Sequence, residues 1–387
     1  MDFSLSEEQV AIKELAYQIF TDMASDEHLL DMSRTDADYD DKLWSTLAEQ
    51  GILGLALPEN IGGSGLGLSE LCCVLEQQGM RVAPVPLYAN LVLGALPIVE
   101  FGTEEQQATL LKPMAAGEHK LTAAVAELGM QVAMKKAVTA EKRDGGWLLN
   151  GMVDCVQDGA VASYILIPAN TTSGNEGAEQ SVFIVNVEAV GVKVIPQQLG
   201  LLGEWNARIE LSDLVLEDSA LLGEAGQGAD IIDWLEQRAN LAHCAMQAGV
   251  TETAMRRTAQ YTSEREQFGK PIGSFQALAM RMADSYIDVE AIRATYWLAL
   301  WRLTEGLDAR IEIRAAKYWA CEGAHRVVCT AQHLHGGMGA DVEYPIHRFF
   351  LWSKMISYSL GGGNHQLEKL GALLASDDSL GLDALRA

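Results

Sequence analysis

The sequence predicts an α+β protein with a helical segment over residues 1–120, a β segment over 121–226 and a second helical segment over 227–387. Three patterns carry this reading. Apolar residues recur at helical spacing from Ser6 onward, and short branched runs broken by Gly, Asn and Asp begin near Leu121. The helical period then returns near Gln227 in long blocks. An N-terminal helical cap, a central β unit and a C-terminal helical bundle follow from that order.

Ser6 with Gln9 makes a capping box, and Ile12, Leu15, Ala16, Ile19 and Phe20 fall on one face of the helix that follows. Similar patterns predict helices at Asp41–Gly51, Ser69–Gly79 and Glu104–Ala116. Strands are expected at Trp147–Gly151, Tyr164–Ile167, Ser181–Val187, Val192–Ile195 and Arg208–Leu216. Long helices are expected over 227–262, 274–305 and 309–335, then a glycine-rich break and a last helix after Asn364. There is no internal repeat and no low-complexity tail.

At 387 residues the chain is long enough for two or three domains of ~100–200 residues each. Its 28 Lys+Arg stand against 53 Asp+Glu, a net charge of −25, and a surface this acidic repels phosphate backbones and anionic headgroups. Nucleic-acid and membrane binding are therefore not expected. Met1-Asp2-Phe3-Ser4 lacks the basic start and apolar core of a signal peptide, so a cytoplasmic location is expected. Apolar stretches such as Ala291–Leu303 are broken by arginine before the ~20 residues of a membrane span. Cysteines 72, 73, 155, 244, 321 and 329 are scattered with no Cys-x-x-Cys, which fits reduced thiols.

Gly62-Gly63-Ser64-Gly65-Leu66-Gly67 reads either as a phosphate loop or as a structural turn. The turn is favoured: residue 68, where a third glycine belongs, is leucine, and no βαβ pattern follows. Cys321, His325 and Cys329 share a helical face with His333 and His335 just beyond, soft ligands that suit zinc. The usual zinc spacings are missing, and a helical cysteine is more often a small buried hydrophobe, so no metal is expected. Residues 261–276, containing Arg265, Gln267, Phe268, Gly269 and Gln276, form a polar corner between two long helices, either a diphosphate clamp or a solvated turn. Gln332-His333-Leu334-His335-Gly336-Gly337-Met338-Gly339 ends another helix, offering bare backbone to a ligand or simply capping it. Tyr344-Pro345-Ile346-His347-Arg348 and Gly361-Gly362-Gly363-Asn364 follow.

In this order and spacing these segments resemble the acyl-CoA dehydrogenase family of flavoproteins. So do Gly51-Ile-Leu-Gly-Leu with Pro58-Glu59…Gly62-Gly63, and Leu222-Gly223-Glu224…Gly226-x-Gly228. The resemblance spans the whole chain. It implies a middle domain built as a β-barrel or sandwich, a C-terminal four-helix bundle, and FAD held between two subunits. The C-terminal domain of one subunit takes the adenosine and pyrophosphate, and the middle domain of the other takes the flavin ring. By that match Arg265, Gln267, Phe268, Gln276, Gln332, Gly336 and Gly337 contact the FAD of a neighbouring subunit.

The ring-end pattern departs from the family. Its Thr-Glu-Pro and Gly-Ser-Asp segments correspond here to Ala126-Glu127-Leu128 and Gln131-Val132-Ala133, and its Trp-Ile-Thr to Cys155-Val156-Gln157. The chemistry removes an α-proton and passes the β-hydride to the flavin, so it needs a carboxylate beside the α-carbon. Counting along the motifs places Leu360 at the usual base position and Ala239 at the minority one. Glu236, three residues before Ala239, heads a polar stripe with Asn240, His243 and Gln247, either lining a catalytic cleft or forming a hydrated or interface face.

The resemblance is most specific to subunits of bacterial heterotetrameric acyl-CoA dehydrogenases acting on steroid side chains. It implies a chain that supplies the adenosine clamp while a homologous partner supplies the ring pocket and the glutamate, with an acyl-CoA substrate and electron-transferring flavoprotein as acceptor. The alternatives are a self-sufficient homotetramer using Glu236 and a non-catalytic scaffold. A chain this anionic is expected to pair preferentially with a less acidic homologue.

Overall fold

The computed structural model describes residues 4–35, 39–129, 138–172, 179–197 and 205–376. In chain order the helices are α1 (Glu7–Met23), α2 (Asp26–Met32), α3 (Asp41–Glu49), α4 (Leu68–Arg81), α5 (Leu96–Phe101), α6 (Glu104–Gln106) and α7 (Lys112–Ala115). After the sheet come α8 (Gly228–Glu264), α9 (Gln276–Thr304), α10 (Arg310–Leu334), α11 (Ile346–Tyr358) and α12 (Gly363–Ser376). The strands are β1 (Leu121–Ala123), β2 (Thr139–Arg143), β3 (Gly146–Val156), β4 (Tyr164–Thr172), β5 (Glu179–Asn186), β6 (Val192–Pro196), β7 (Ala207–Glu217) and β8 (Leu221–Leu222). The expected order of helices, sheet and helices is thus present.

Contacts divide the chain into two compact units. One comprises Met1–Asp36, Leu68–Ala83 and Asn240–Ala387, the other Ala37–Gly67 and Pro84–Ala239. In the first, Ser6 caps α1 through Gln9 as its sequence predicts. Helix α4 lies against α8 at near-backbone distance because two glycines face the contact. A Cβ at Gly79 would stand 2.1 Å from the Met246 carbonyl oxygen, and one at Gly249 would stand 2.0 Å from that of Glu76. Ala248, Ile292 and Ala324 pack α8 on α9 and α10, and Met255, Val289 and Val327 repeat that contact farther along.

The second unit holds an eight-stranded sheet in the order β6-β7-β3-β2-β4-β5-β8, with β1 on β4. Pairing is antiparallel except for β1 and β2 against β4. Alternate residues Ile165 and Ile167, Phe183 and Val185, and Ile209 and Leu211 enter one core, the period-two signature that made these strands readable. The turn at Gly62–Gly65 uses its own amides: Gly62, Gly63, Ser64 and Gly65 donate to Glu59, Pro58, Gly54 and Leu57 carbonyls. No N–H of these four is left for a phosphate, so the segment is a structural turn.

Two expectations change. The single helix at Glu104–Ala116 is three short pieces, α6, a π-helical turn at Gln107–Leu111 and α7, because Pro113 has no N–H to continue the ladder. Helix α11 was not anticipated; its run Ile-His-Arg-Phe-Phe-Leu-Trp is poor in strong helix formers and is held by packing. An exposed mid-helix Gly→Ala change stabilises by about 1 kcal/mol. At position 249 the sign reverses: Gly249→Ala is expected to lower stability by about 2 kcal/mol in chemical unfolding, since α4 must move off α8.

Candidate cofactor and catalytic site

The corner between α8 and α9 is a two-residue hairpin. Glu266–Gln267 (β9) pairs antiparallel with Lys270–Pro271 (β10), and Phe268 and Gly269 turn it at φ +56° and +79°. Positive φ at both central positions is the primed turn that matches strand twist, but a phenylalanine there is strained. Phe268 is also 92% exposed, its ring edge-on to Phe275 at 6.2 Å. Arg265, Gln267 and Gln276 are exposed on the same corner, and among the described residues the Arg265 guanidinium has no carboxylate within 4 Å. These four side chains therefore present one open surface with a cation available for an anion.

The segments around His335 and Tyr344 are tied to the end of α8 by stacked rings. His335, buried, lies 4.3 Å from the Tyr261 ring centroid, nearly parallel to it, and 5.3 Å from Tyr344. Three segments chosen on separate motifs thus meet at one imidazole, whose pKa burial lowers. The sequence singled out the glycines beyond it but not this role for His335. Gly336, at φ +60°, and Gly337 are exposed, and a Cβ at either would meet nothing in this chain. Gln332 is half-buried and its amide donates to the Gly339 carbonyl at 3.0 Å, so it closes the loop. The neighbouring His333 is exposed instead, with Arg281 Nη1 2.9 Å from its Nδ1.

The position that the motif count assigns to the base is hydrocarbon. Leu360 is 5% exposed and adopts φ +60°, followed by Gly361 at φ +89°, where a Cβ would strike the His365 ring. Gln366 Nε2 donates to the Leu360 and Gly361 carbonyls at 2.9 and 3.3 Å, and Arg314 Nη1 donates to Gln366 Oε1 at 3.0 Å. Upstream, Lys317 Nζ donates to Ile356 O at 2.7 Å and Cys321 Sγ to Ser357 O at 3.3 Å. Arg314, Lys317 and Cys321 lie at i, i+3 and i+7 on α10, so one face of that helix fixes the whole turn.

On α8, Ala239 is fully buried and Glu236 is buried three residues before it. Asn240, His243 and Gln247 are buried too, which removes the hydrated-face reading of the stripe. Gln247 Nε2 donates to Ser353 Oγ at 2.6 Å, and Lys317 Nζ lies 3.4 Å from His243 Nδ1. Burial first, then the Lys317 charge, hold His243 far below its usual range, so it is neutral.

In the sheet unit, Cys155 stands at φ +58° in a bulge of β3, its N–H donating to Gln197 Oε1 at 2.8 Å. Val156 is buried, and Thr122 Oγ1 donates to the Gln157 carbonyl at 2.7 Å. Ala126–Gly129 is a 3₁₀ turn; Gln131-Val132-Ala133 lies outside the described residues. Around the zinc candidates, Lys354 Nζ lies beside His325 Nδ1, Cys321 Sγ donates to the Ser357 carbonyl, and the described residues hold no group of three metal ligands. All six cysteines are free, and burial pushes Cys73 and Cys244 up to about 12.

Residues 6–118 match the model of the acyl-CoA dehydrogenase N-terminal domain, and 226–374 that of its C-terminal domain. The chain belongs to the acyl-CoA dehydrogenase family. It is 35% identical to acyl-CoA dehydrogenase FadE27 of Mycobacterium tuberculosis, over 97% of this chain and 99% of that protein. Among solved structures it resembles the ChsE4-ChsE5 complex from Mycobacterium tuberculosis, at 36% identity and TM-score 0.90 over 97% of this chain and 100% of that one. A variant of the Tcur3481-Tcur3483 steroid ACAD is similar at 39% identity and TM-score 0.87, over 96% and 99%. Acyl-CoA dehydrogenases are FAD-dependent oxidoreductases, and this chain is one by family.

The two ends of FAD fit unequally. An open arginine and bare glycines suit a pyrophosphate. At the ring end, Ala126 and Val156 carry no hydrogen-bonding side chain, and the Thr122 hydroxyl already donates to the Gln157 carbonyl. No helix among the described residues is long and apolar enough to cross a membrane.

Two outcomes follow. Phe268→Gly is expected to stabilise the chain by about 1 kcal/mol in thermal unfolding, by releasing a side chain from positive φ, while weakening any ligand at the corner. Because the folded pKa of His243 is depressed, the unfolded chain binds the extra proton, so its contribution is full above about pH 6.5 and is lost as pH falls below it. His243→Gln is expected to flatten the slope of unfolding free energy between pH 7 and 5.

Proposed function

We propose that this chain is the subunit without a catalytic base in a heteromeric acyl-CoA dehydrogenase. It supplies the clamp for the adenosine and pyrophosphate of FAD, and a homologous chain supplies the ring pocket and the glutamate. The observation that carries the reading is the pairing of an open adenosine-end corner with hydrocarbon at both base positions, Leu360 and Ala239. Bound flavin supplies the acceptor for the β-hydride. Arg265 balances the pyrophosphate charge, the Phe268 hairpin gives an aromatic wall, and Gly336 and Gly337 leave backbone accessible to phosphate oxygens. Neither leucine nor alanine takes a proton, so removal of the α-proton falls to a carboxylate of the partner.

The ChsE4-ChsE5 complex and the steroid ACAD support a heteromeric assembly and a steroid side-chain or other bulky acyl-CoA as substrate. Electron-transferring flavoprotein is the acceptor in this reading, and the cytoplasm the location. One feature favours a second reading, a self-sufficient homotetramer: Glu236 is a buried carboxylate one helical turn from Ala239.

Co-expression with a homologous dehydrogenase chain separates these. The expected result is a mixed complex with bound FAD that bleaches on adding an acyl-CoA, while the chain alone does not bleach. Arg265→Ala in the complex is expected to weaken FAD about 10–100-fold, the loss of one charge-assisted contact, and Glu236→Gln to leave bleaching intact. Bleaching by the chain alone that Glu236→Gln abolishes overturns the proposal in favour of the homotetramer. A mixed complex without flavin overturns it in favour of a scaffold.

A further inference from the structure

The chain has an excess of carboxylates, and several of its arginines pair with one, although the buried Arg348 does not. Arg208 meets Asp154, Arg257 meets Asp26, Arg293 meets Glu252 and Arg326 meets Asp288. Arg238, on α8, does not. It is half-buried, its guanidinium carbon lies 3.6 Å from the Trp234 ring centroid, and Nη1 donates to the Trp234 carbonyl at 3.0 Å. The indole is held in turn by Phe101, edge-on at 5.3 Å. Among the described residues no carboxylate lies within 4 Å of Arg238; Glu100, exposed, acts on it only through its field. Burial lowers its pKa to about 10, with Glu100 opposing, so it is still charged at neutral pH.

A guanidinium taken partly out of water without a counter-ion is destabilising, and the usual remedies are a carboxylate or full exposure. Stacking covers one face, and the carbonyl of Trp234 takes one N–H. Of the five donors in a guanidinium, four then have no partner among the described residues, arranged as a flat fork that matches two oxygens of one oxyanion. We propose that Arg238 and the Trp234 face form a docking point for an oxyanion, a phosphate or carboxylate group carried by a small molecule. The site stands on residues of the sheet-containing unit and shares no residue with the Arg265 corner.

Thermal unfolding of the full chain in inorganic phosphate or in acetate, with ionic strength matched by sodium chloride, tests it. At least one of the two anions is expected to raise Tm saturably above the chloride control. A response to phosphate points to a phosphoryl ligand, and one to acetate points to a carboxylate. Arg238→Met removes an uncompensated charge, so without anion it is expected to unfold at or above the wild-type Tm and to lose the anion response. Arg238→Lys retains charge and stem but not the fork, and is expected to need about tenfold more anion for the same shift. The proposal is overturned if neither anion acts beyond chloride, if Arg238→Met still responds, or if Arg238→Met unfolds well below wild type in anion-free buffer. Should Arg238→Met fail to fold, an Arg238→Lys response equal to wild type also overturns it.

Discussion

A buried ammonium governs the C-terminal bundle. Lys317 is fully buried, and among the described residues it has no carboxylate beside it, yet the carbonyl of Ile356 at the end of α11 and His243 of α8 surround it. Oxygens at a helix C-terminus carry partial negative charge, so the end of α11 serves as the counter-charge. Burial still lowers the pKa of Lys317, which shows how little spare compensation is present. Burial and the adjacent Lys317 charge keep His243 neutral in the same interior.

The turn at Leu360 inherits its shape from that arrangement. With the last carbonyls of α11 held by Lys317 and Cys321, the chain leaves the helix in a left-handed step, and Gln366, oriented by Arg314, holds the next two carbonyls. This is an expensive conformation for leucine, about 1–2 kcal/mol above a right-handed one. The chain therefore has a constrained backbone at Leu360, with a side chain that cannot perform proton transfer. Just beyond the end of α8, Phe268 occupies another positive-φ position, and there the strained residue is exposed. Strain at a buried clamp and strain at an open corner have different consequences: one fixes a turn, the other displays a ring.

Much of the fold was legible. Capping at Ser6, the 3.6-residue period of α1, α3, α4 and α8–α10, and the period-two runs of β3–β7 are local properties, and the structure repeats them. Helix α11 was not legible because packing, not propensity, holds it, and the π-helical turn at 107–111 depends on Pro113 meeting its surroundings. Of the candidate cofactor residues, Arg265, Phe268, Gly336 and Gly337 were readable as motif, and the structure leaves them exposed. The engagement of the Gln332 amide with Gly339, and the stack of His335 on Tyr261, depend on side-chain direction, which spacing does not report.

By itself the sequence determined the order of helices, sheet and helices, the family, and the chemical identity of the residues at 239 and 360: these depend on residue types and short spacings. Only the tertiary structure decided that α4 belongs with helices far along the chain, through glycines that let two backbones touch. Only it decided that the polar stripe from Glu236 to Gln247 is interior, and that Arg238 is desolvated without a carboxylate. Burial and pairing are sums over neighbours distant in sequence, so no single stretch of residues encodes them.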